Sequence, residues 1–147
     1  MKPITRRVVQ ALLYEIGAIA LTSPIIGFAF DTSASSALTL AAIMSTIALA
    51  WNYVFNAIFE RWESRQTIKG RSIWRRLAHG IGFEGGLVMM LVPLMAFWLG
   101  ISFIDAFIAE MGLLLMFFVY AVLFTWAFDK AFGLPESALQ HHQQSNN

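Results

Sequence analysis

Two glutamates lie inside long apolar stretches of this sequence, and both occur in the same local pattern. Glu15 and Glu84 are 69 positions apart, and each follows an arginine, Arg7 or Arg76, by eight residues. An ionised acidic side chain near the centre of a membrane helix costs about 2.5–3.5 kcal/mol on insertion scales, so it normally faces a bundle interior or a water-filled cavity. Proton uptake removes that charge. A carboxyl group in this position can therefore exchange a proton for a cation.

A purely structural role is the alternative for both glutamates. A membrane glutamate can hydrogen-bond to another helix, or it can pair with an arginine that reaches down from the interface. At a rise of about 1.5 Å per residue, however, each glutamate lies about 12 Å along the helix axis from its arginine. Direct pairing within one helix is therefore difficult.

The elements that must position these glutamates occur twice. Residues 1–61 align with residues 70–130 without a gap. The alignment pairs several further residues of special type: Gly17 with Gly86, Pro24 with Pro93, Phe55 with Phe124, Phe59 with Phe128, and Glu60 with Asp129. Such an internal repeat indicates two copies of one structural unit. We predict a first repeat over residues 1–66, a second over 67–133, and a polar cytoplasmic tail over 134–147.

The composition indicates a membrane protein. Of the 147 residues, 58% are hydrophobic and 13% are charged, whereas an ordinary soluble domain has about 25% charged residues. Four apolar stretches, at 8–29, 38–59, 77–99 and 104–128, are close to or above the roughly 20 residues that cross a bilayer as a helix. We predict an all-α membrane protein with four transmembrane helices in two hairpins. The absence of cysteine excludes disulfides and thiolate metal sites.

The basic residues predict the orientation of the chain. Lysines and arginines precede the first apolar stretch, fill the middle loop and follow the last stretch, whereas the connections at 30–37 and 100–103 contain none. The positive-inside rule therefore places both termini and the middle loop in the cytoplasm. Each half then inserts as a hairpin with the same orientation, which makes the repeat parallel. The rule also explains the basic loop without nucleic acid as a partner.

The first apolar stretch has one competing interpretation, a cleaved secretory signal peptide. The basic start and the small residues from Ser33 to Ala37 fit such a segment. The core of a signal peptide, however, usually spans about 7–15 apolar residues, and it has no use for the carboxylate of Glu15. Because the same pattern recurs at 77–99, deep inside the chain, we predict that the first stretch is retained as a helix.

Polar and aromatic residues share the final turns of the second helix in each half. In the first half they form two adjacent stripes with helical spacing: Asn52, Asn56 and Glu60, and Trp51, Phe55 and Phe59. Amides at membrane depth need hydrogen-bond partners, so we expect Asn52 and Asn56 to interact with the glutamate of the preceding helix. Aromatic rings attract organic cations by about 0.5–2 kcal/mol each. The alternative, an interfacial aromatic belt with helix-end packing, is favoured for Phe59 and Phe128.

Other acidic residues also lie in or beside the apolar stretches. Glu60 and Asp129 reach the cytoplasmic boundary beside Arg61 and Lys130, where they can attract cations, be solvated or pair with basic loop residues. Glu110 lies inside the fourth apolar stretch, towards its outer end. We expect Glu110 to reach the lipid headgroups rather than to line an outward path.

The histidines do not form a catalytic or metal-binding set. His79 is near a predicted helix start, and His141 and His142 are adjacent in the polar tail. No nucleophile, base or metal ligand converges with them in the sequence pattern, so we expect neither an enzyme nor a metal site.

Two longer motifs occur once in each half. The first reads Arg7, Gln10, Ala11, Tyr14 and Glu15, and it recurs as Arg76, His79, Gly80, Phe83 and Glu84. The second reads Trp51, Asn52, Phe55, Asn56, Phe59 and Glu60, and its counterpart is Tyr120, Phe124, Trp126, Phe128 and Asp129. At this spacing they resemble the patterns R-x-x-H-A-x-x-F-E and W-N-x-x-F-N-x-x-F-D of the proteobacterial antimicrobial compound efflux (PACE) transporters. The resemblance covers residues 6 to 130, nearly the whole chain.

This resemblance implies a function. PACE transporters are small bacterial inner-membrane proteins that export lipophilic cationic biocides, such as chlorhexidine, acriflavine and quaternary ammonium compounds, with short diamines as further substrates. The resemblance implies that the proton gradient drives export, without a cofactor. The coupling residue of the family corresponds to Glu15. Gln10 replaces the family's histidine, so no titrating side chain is present at that position.

The motifs and the resemblance together give a set of candidate site residues. Proton coupling and substrate binding are assigned to Glu15, Trp51, Asn52 and Asn56. The supporting residues are Tyr14, His79, Phe83, Glu84, Tyr120, Glu60 and Asp129. Because the surroundings of the two glutamates differ, we expect Glu84 to support the site rather than to carry a second identical proton.

The expected partners are small organic cations, protons and the lipid bilayer. Four helices enclose little volume, so we also expect a homodimer. The alternative function is a non-transporting structural or accessory subunit of the inner membrane.

Overall fold

The computed structural model contains four long helices. They are α1 (Pro3–Ala29), α2 (Ala34–Ser64), α3 (Ile73–Leu99) and α4 (Phe103–Phe132). All four are long and apolar enough to cross a membrane, which confirms the predicted fold class. The structure describes residues 1–67, 70 and 72–134. Lys69 and Arg71 of the middle loop, and the tail from 135 with His141 and His142, lie outside the described residues.

The helix ends follow from a few local residues, which also repeat. Ser33, Ser72 and Ser102 precede α2, α3 and α4, and each hydroxyl accepts a hydrogen bond from the backbone N–H three residues later, at 3.1–3.3 Å. Gly100 ends α3 in the left-handed conformation, with φ 65°. Asp31 occupies the same position of the first repeat with φ 49°, because aspartate tolerates this conformation better than most residues.

The apolar core lies in one half of the bundle. It includes Ile26, Leu40, Met95 and Ala106, whose exposed fractions are 0–1%, and it joins residues of all four helices. These residues are near the connections 30–33 and 100–102. We call this end of the bundle the short-loop end. Apolar side chains from all four helices therefore close the bundle at the short-loop end.

Close packing of α2 against α3 depends on two glycines. The Trp51 ring lies against Gly86, and the Phe55 ring lies against Gly82, where an added Cβ would be 3.0 Å from the ring. The Trp51 indole also donates a hydrogen bond to the Phe83 carbonyl, at 3.0 Å. Gly82 and Gly86 thus allow α2 and α3 to pack closely.

The same contact is present in the other half of the bundle. The Tyr120 hydroxyl lies against Gly17 and donates a hydrogen bond to the Tyr14 carbonyl, at 2.9 Å. Tyr120 and Gly17 are 69 positions from Trp51 and Gly86 respectively. The contact between α4 and α1 thus repeats the contact between α2 and α3. In each case, an aromatic residue of one repeat packs on a glycine of the other.

Replacing Gly86 by alanine is expected to lower the free energy of unfolding by about 1–3 kcal/mol, because the new methyl group would overlap the Trp51 ring. Gly85→Ala is the matched control, since its Cβ would meet nothing within 4 Å. That variant should be as stable as the wild type or slightly more stable, owing to the helix propensity of alanine. Denaturant titration in detergent micelles measures both changes. Equal stability of the two variants would contradict the packing described here.

Candidate functional site

A cavity of about 220 Å³ lies between the four helices. Three of its wall residues are acidic, one from each of α1, α3 and α4: Glu15, Glu84 and Glu110. Most of the remaining wall is apolar or aromatic, and its aromatic residues are Tyr14, Phe83 and Phe117. Within the described chain, no lysine or arginine contributes to this wall. The cavity therefore combines three carboxyl groups with an otherwise largely apolar surface.

Glu15 is held by a hydroxyl of the next helix. The Ser45 hydroxyl on α2 donates a hydrogen bond to Glu15 Oε2, and both residues line the cavity. The hydrogen bond from Ser45 fixes one carboxylate oxygen of Glu15, while the group stays within reach of a ligand in the cavity.

The second glutamate of the repeat has different surroundings. Position 114, which corresponds to Ser45, is Leu114, and it also lines the cavity. Glu84 Oε2 is buried, and no hydrogen-bond partner is found for it among the described residues. This difference agrees with the expectation that Glu15 and Glu84 are not equivalent.

Glu110 was expected at the headgroups, and this prediction is wrong. Its exposed fraction is 5%, and it faces the internal cavity. Among residues 1–67, 70 and 72–134, nothing hydrogen-bonds to its Oε2 atom. The position of Glu110 in the sequence gives its depth along α4 but not the direction of its side chain. Glu110 occupies the face of α4 that packs against the other helices, so it points inward rather than towards lipid.

Four of the predicted site residues line the cavity: Tyr14, Glu15, Phe83 and Glu84. Trp51 and Tyr120 lie just outside its wall. Their hydrogen bonds end on the carbonyls of Phe83 and Tyr14, which immediately precede Glu84 and Glu15 in the chain. Each ring therefore positions the backbone next to a cavity glutamate of the other repeat.

The predicted contact of Asn52 and Asn56 with Glu15 is not formed. Asn56 donates hydrogen bonds to the carbonyl and side-chain oxygens of Asn52, at 2.7 and 2.8 Å. The Oδ1 atom of Asn56 lies 2.8 Å from His79 Nε2. Asn52 follows Ser45 by seven residues, about 10 Å along the helix, which explains why Ser45 is the partner of Glu15. Asn56 instead connects α2 with His79 of α3.

Asp129 forms an ion pair between α1 and α4. Arg6 donates a hydrogen bond to Asp129 Oδ1 at 2.6 Å and another to the Gly133 carbonyl at 2.8 Å, and its guanidinium lies 5.1 Å from the centroid of the Phe128 ring. Of the alternatives open for Asp129, pairing with a basic residue is the one found. Glu60, at the same position of the first repeat, is exposed. Neither carboxylate lines the cavity.

Three functional candidates were missed: Thr22, Ser45 and Glu110. Glu110 could have been identified from the sequence as a functional candidate, because an ionisable residue inside a transmembrane helix marks a functional site by default. Thr22 and Ser45 could not, since isolated hydroxyl residues are common in apolar helices. The described side chains contain no group of three or more His, Asp or Glu residues that could hold a metal ion.

An acidic cavity enclosed by four membrane-spanning helices is the architecture of a small membrane transporter. The sequence matches the family described as chlorhexidine efflux transporter twice in tandem, over residues 2–65 and 71–134. The chain therefore belongs to this efflux transporter family, the PACE family that its motifs resemble, and it is a multi-pass protein of the bacterial inner membrane.

Three relatives described as short-chain diamines transporters support this assignment. The protein of Acinetobacter baylyi is 32% identical over 124 residues, which cover 84% of this chain and 87% of the relative. The protein of Vibrio parahaemolyticus is 34% identical, with 84% and 88% covered. The protein of Acinetobacter baumannii is 36% identical, with 84% and 85% covered. No solved structure matches the chain significantly.

A double-mutant cycle tests the structural role of Asp129. Because Arg6 and Asp129 are partly buried, with 14% and 25% of their side chains exposed, we expect a coupling energy of about 0.5–1 kcal/mol between Arg6→Ala and Asp129→Ala in the free energy of unfolding. A cycle of Arg6→Ala with Glu60→Ala is the control and should give additive effects. Additive effects in both cycles would show that the ion pair does not stabilise the bundle.

Proposed function

We propose that this protein exports small organic cations across the inner membrane in exchange for protons, and that Glu15 binds the proton and the cation in turn. The observation that supports this proposal best is the position of Glu15 in an internal cavity that contains two further carboxyl groups and no basic side chain from the described residues. A bound cation neutralises the carboxylate charge in this cavity. A bound proton also neutralises it, so the cation and the proton compete for Glu15.

The charge of the cavity favours cations over neutral or anionic compounds. Two unit charges about 6 Å apart interact by roughly 3 kcal/mol at an effective dielectric constant of 20. Like charges on the cavity carboxylates are therefore costly until protons or a cationic ligand neutralise them. The Tyr14, Phe83 and Phe117 side chains add aromatic surface, which attracts organic cations further.

The cavity volume favours compact substrates. Pockets for drug-sized ligands are typically about 300–1,000 Å³, and this cavity is smaller, at about 220 Å³. Short-chain diamines, the substrates that the names of the three relatives give, are compact cations of this kind. Biocides of the size of chlorhexidine would require the helices to separate. We therefore propose short diamines as the first substrate class to test and lipophilic cationic biocides as the second.

Exchange requires that the cavity opens to one side of the membrane at a time. The apolar core closes the short-loop end, where Leu40, Met95 and Ala106 have no exposed surface. If the positive-inside orientation is correct, the structure is closed towards the outside, and a cation enters from the cytoplasm to bind ionised Glu15. After reorientation, protonation of Glu15 from the outside releases the cation. No cofactor takes part in this scheme, since the proton gradient supplies the energy.

Transport by proteoliposomes with an imposed proton gradient tests the proposal. We expect gradient-driven diaminobutane transport by the wild type. Glu15→Gln should reduce it to the level of protein-free liposomes, because this side chain cannot exchange a proton, and Glu84→Gln should reduce it partly. Asp105→Asn is the control, since Asp105 is exposed and outside the cavity.

Two outcomes would contradict the proposed function. Undiminished transport by Glu15→Gln would refute exchange at this carboxyl group. Absence of transport by folded wild-type protein, with either diamines or cationic biocides, would favour the structural or accessory subunit.

We further infer that the protein is a homodimer that associates through α2. Thr46, Asn52, Tyr53, Asn56 and Glu60 border a groove along this helix, and 79% of Tyr53 is exposed. Polar groups on a lipid-facing helix surface are unfavourable without partners. The same face of a second copy offers hydrogen-bonding groups to the exposed side chains of Tyr53 and Glu60.

Cysteine crosslinking in native membranes tests this dimer. The natural chain has no cysteine, so any disulfide must come from an introduced residue. We expect Tyr53→Cys to form crosslinked dimers under mild oxidation. Val122→Cys, at the corresponding position of the second repeat and 57% exposed, should remain monomeric on denaturing gels. Equal crosslinking at the two positions would indicate random collision rather than an α2 interface.

A further inference from the structure

We propose that Glu110, with Glu84 and Thr22, forms a second cation subsite, so that the cavity binds the two ammonium groups of one diamine at Glu15 and at Glu110. This inference rests on the proposed function and adds the determinant that distinguishes a diammonium ligand from a monoammonium one. The first subsite is Glu15 with Ser45, as described above.

Unpartnered polar atoms identify the second subsite. Glu110 and Thr22 have exposed fractions of 5% and 4%. Within the part of the chain that the structure describes, Glu110 Oε2, Thr22 Oγ1 and Glu84 Oε2 are buried without a hydrogen-bond partner. All three residues line the same cavity. Leaving one such group unsatisfied costs about 1–3 kcal/mol, and more if it is charged. A protonated amine carries three N–H donors, which matches these three acceptors.

Glu110 and Thr22 lie closer to the short-loop end than the first subsite, whereas Glu84 occupies the repeat position of Glu15. Position 114 corresponds to Ser45, the partner of Glu15, and Glu110 precedes it by four residues. Glu110 is therefore about 6 Å closer to the short-loop end than the repeat position of Ser45. The first repeat has Ala41 at the position of Glu110. The second subsite is consequently present once, and a ligand that occupies both subsites must carry two separated charges.

The number of protons released on ligand binding is a second property that distinguishes two subsites from one. A diammonium ligand pairs with two carboxylates, so both carboxyl groups must be ionised when it is bound, whereas a monoammonium ligand requires one. The titratable side chains that share the cavity with Glu110 are Tyr14 and Glu15 on α1 and Glu84 on α3, and the described part of α2 contributes none. Diamine binding to the protonated cavity should therefore release more protons than monoamine binding.

Binding to the purified full-length protein in detergent tests the inference directly. The probes are diaminobutane and diaminopentane, compared with butylamine and pentylamine. We expect Glu110→Gln to raise the Kd of the diamines roughly tenfold and to leave the Kd of the monoamines nearly unchanged. Proton release in weakly buffered solution should fall for the diamines alone. Asp105→Asn, on the same helix but exposed and outside the cavity, should change none of these values.

Thr22→Val provides a second test that keeps all cavity carboxyl groups, in case Glu110→Gln alters folding. It should weaken diamine binding selectively, by a smaller factor. Equal weakening of diamines and monoamines in both variants would overturn the inference, because it would indicate a general effect on the cavity. Unchanged diamine binding in both variants would also overturn it, since water would then satisfy the buried atoms.

The experiments distinguish failure of the second subsite from failure of the proposed exchange mechanism. Diamine selectivity that depends on Glu110, in a protein that does not transport, would support the second subsite and refute the exchange mechanism. Conversely, transport that depends on Glu15, with no change of selectivity in Glu110→Gln, would refute the second subsite alone.

Discussion

The main physical constraint on this structure is the cost of carboxyl groups at membrane depth. Each cavity glutamate would cost a few kcal/mol if it faced lipid in its ionised form. The four helices reduce this cost by placing Glu15, Glu84 and Glu110 in the wall of one internal cavity. Large apolar side chains face outward, among them Phe28, Met89 and Phe97. The bundle thus places its three membrane-embedded carboxyl groups at an internal cavity and large apolar side chains on its outer surface.

Cross-repeat contacts maintain this arrangement next to the carboxyl groups. Trp51 and Tyr120 each pack on a glycine of the other repeat and bond to the residue that precedes a cavity glutamate. A smaller side chain in place of either ring would leave space beside the glutamate backbone. A larger residue in place of Gly17 or Gly86 would separate the helices. Trp51 and Tyr120 therefore act on the site by positioning the backbone beside the glutamates, although they do not line the cavity.

The helices were predictable from sequence, and the contacts of the site were predictable only in part. Apolar length and the repeat identified all four helices, because membrane spans follow from composition. Glu15 and Glu84 were identified by their charge. The partners of these groups were not, since a stripe such as Asn52 and Asn56 gives the face of a helix but not its rotation or depth relative to the next helix. Glu110 was recognised as costly, yet its inward direction depends on how α4 packs against the other helices.

Sequence differences between the repeats make the cavity asymmetric along the helix axes. At the level of Ser45 the second repeat has Leu114, and at the level of Ala41 it has Glu110. The polar residue of α4, Glu110, is thus one helical turn, about 6 Å along the axis, away from the position that corresponds to Ser45. Two identical halves would place equivalent groups at one depth, where they would compete for the same cation. In the proposed exchange, polar groups at successive depths would give a cation that leaves Glu15 a next acceptor closer to the short-loop end, within an otherwise apolar interior.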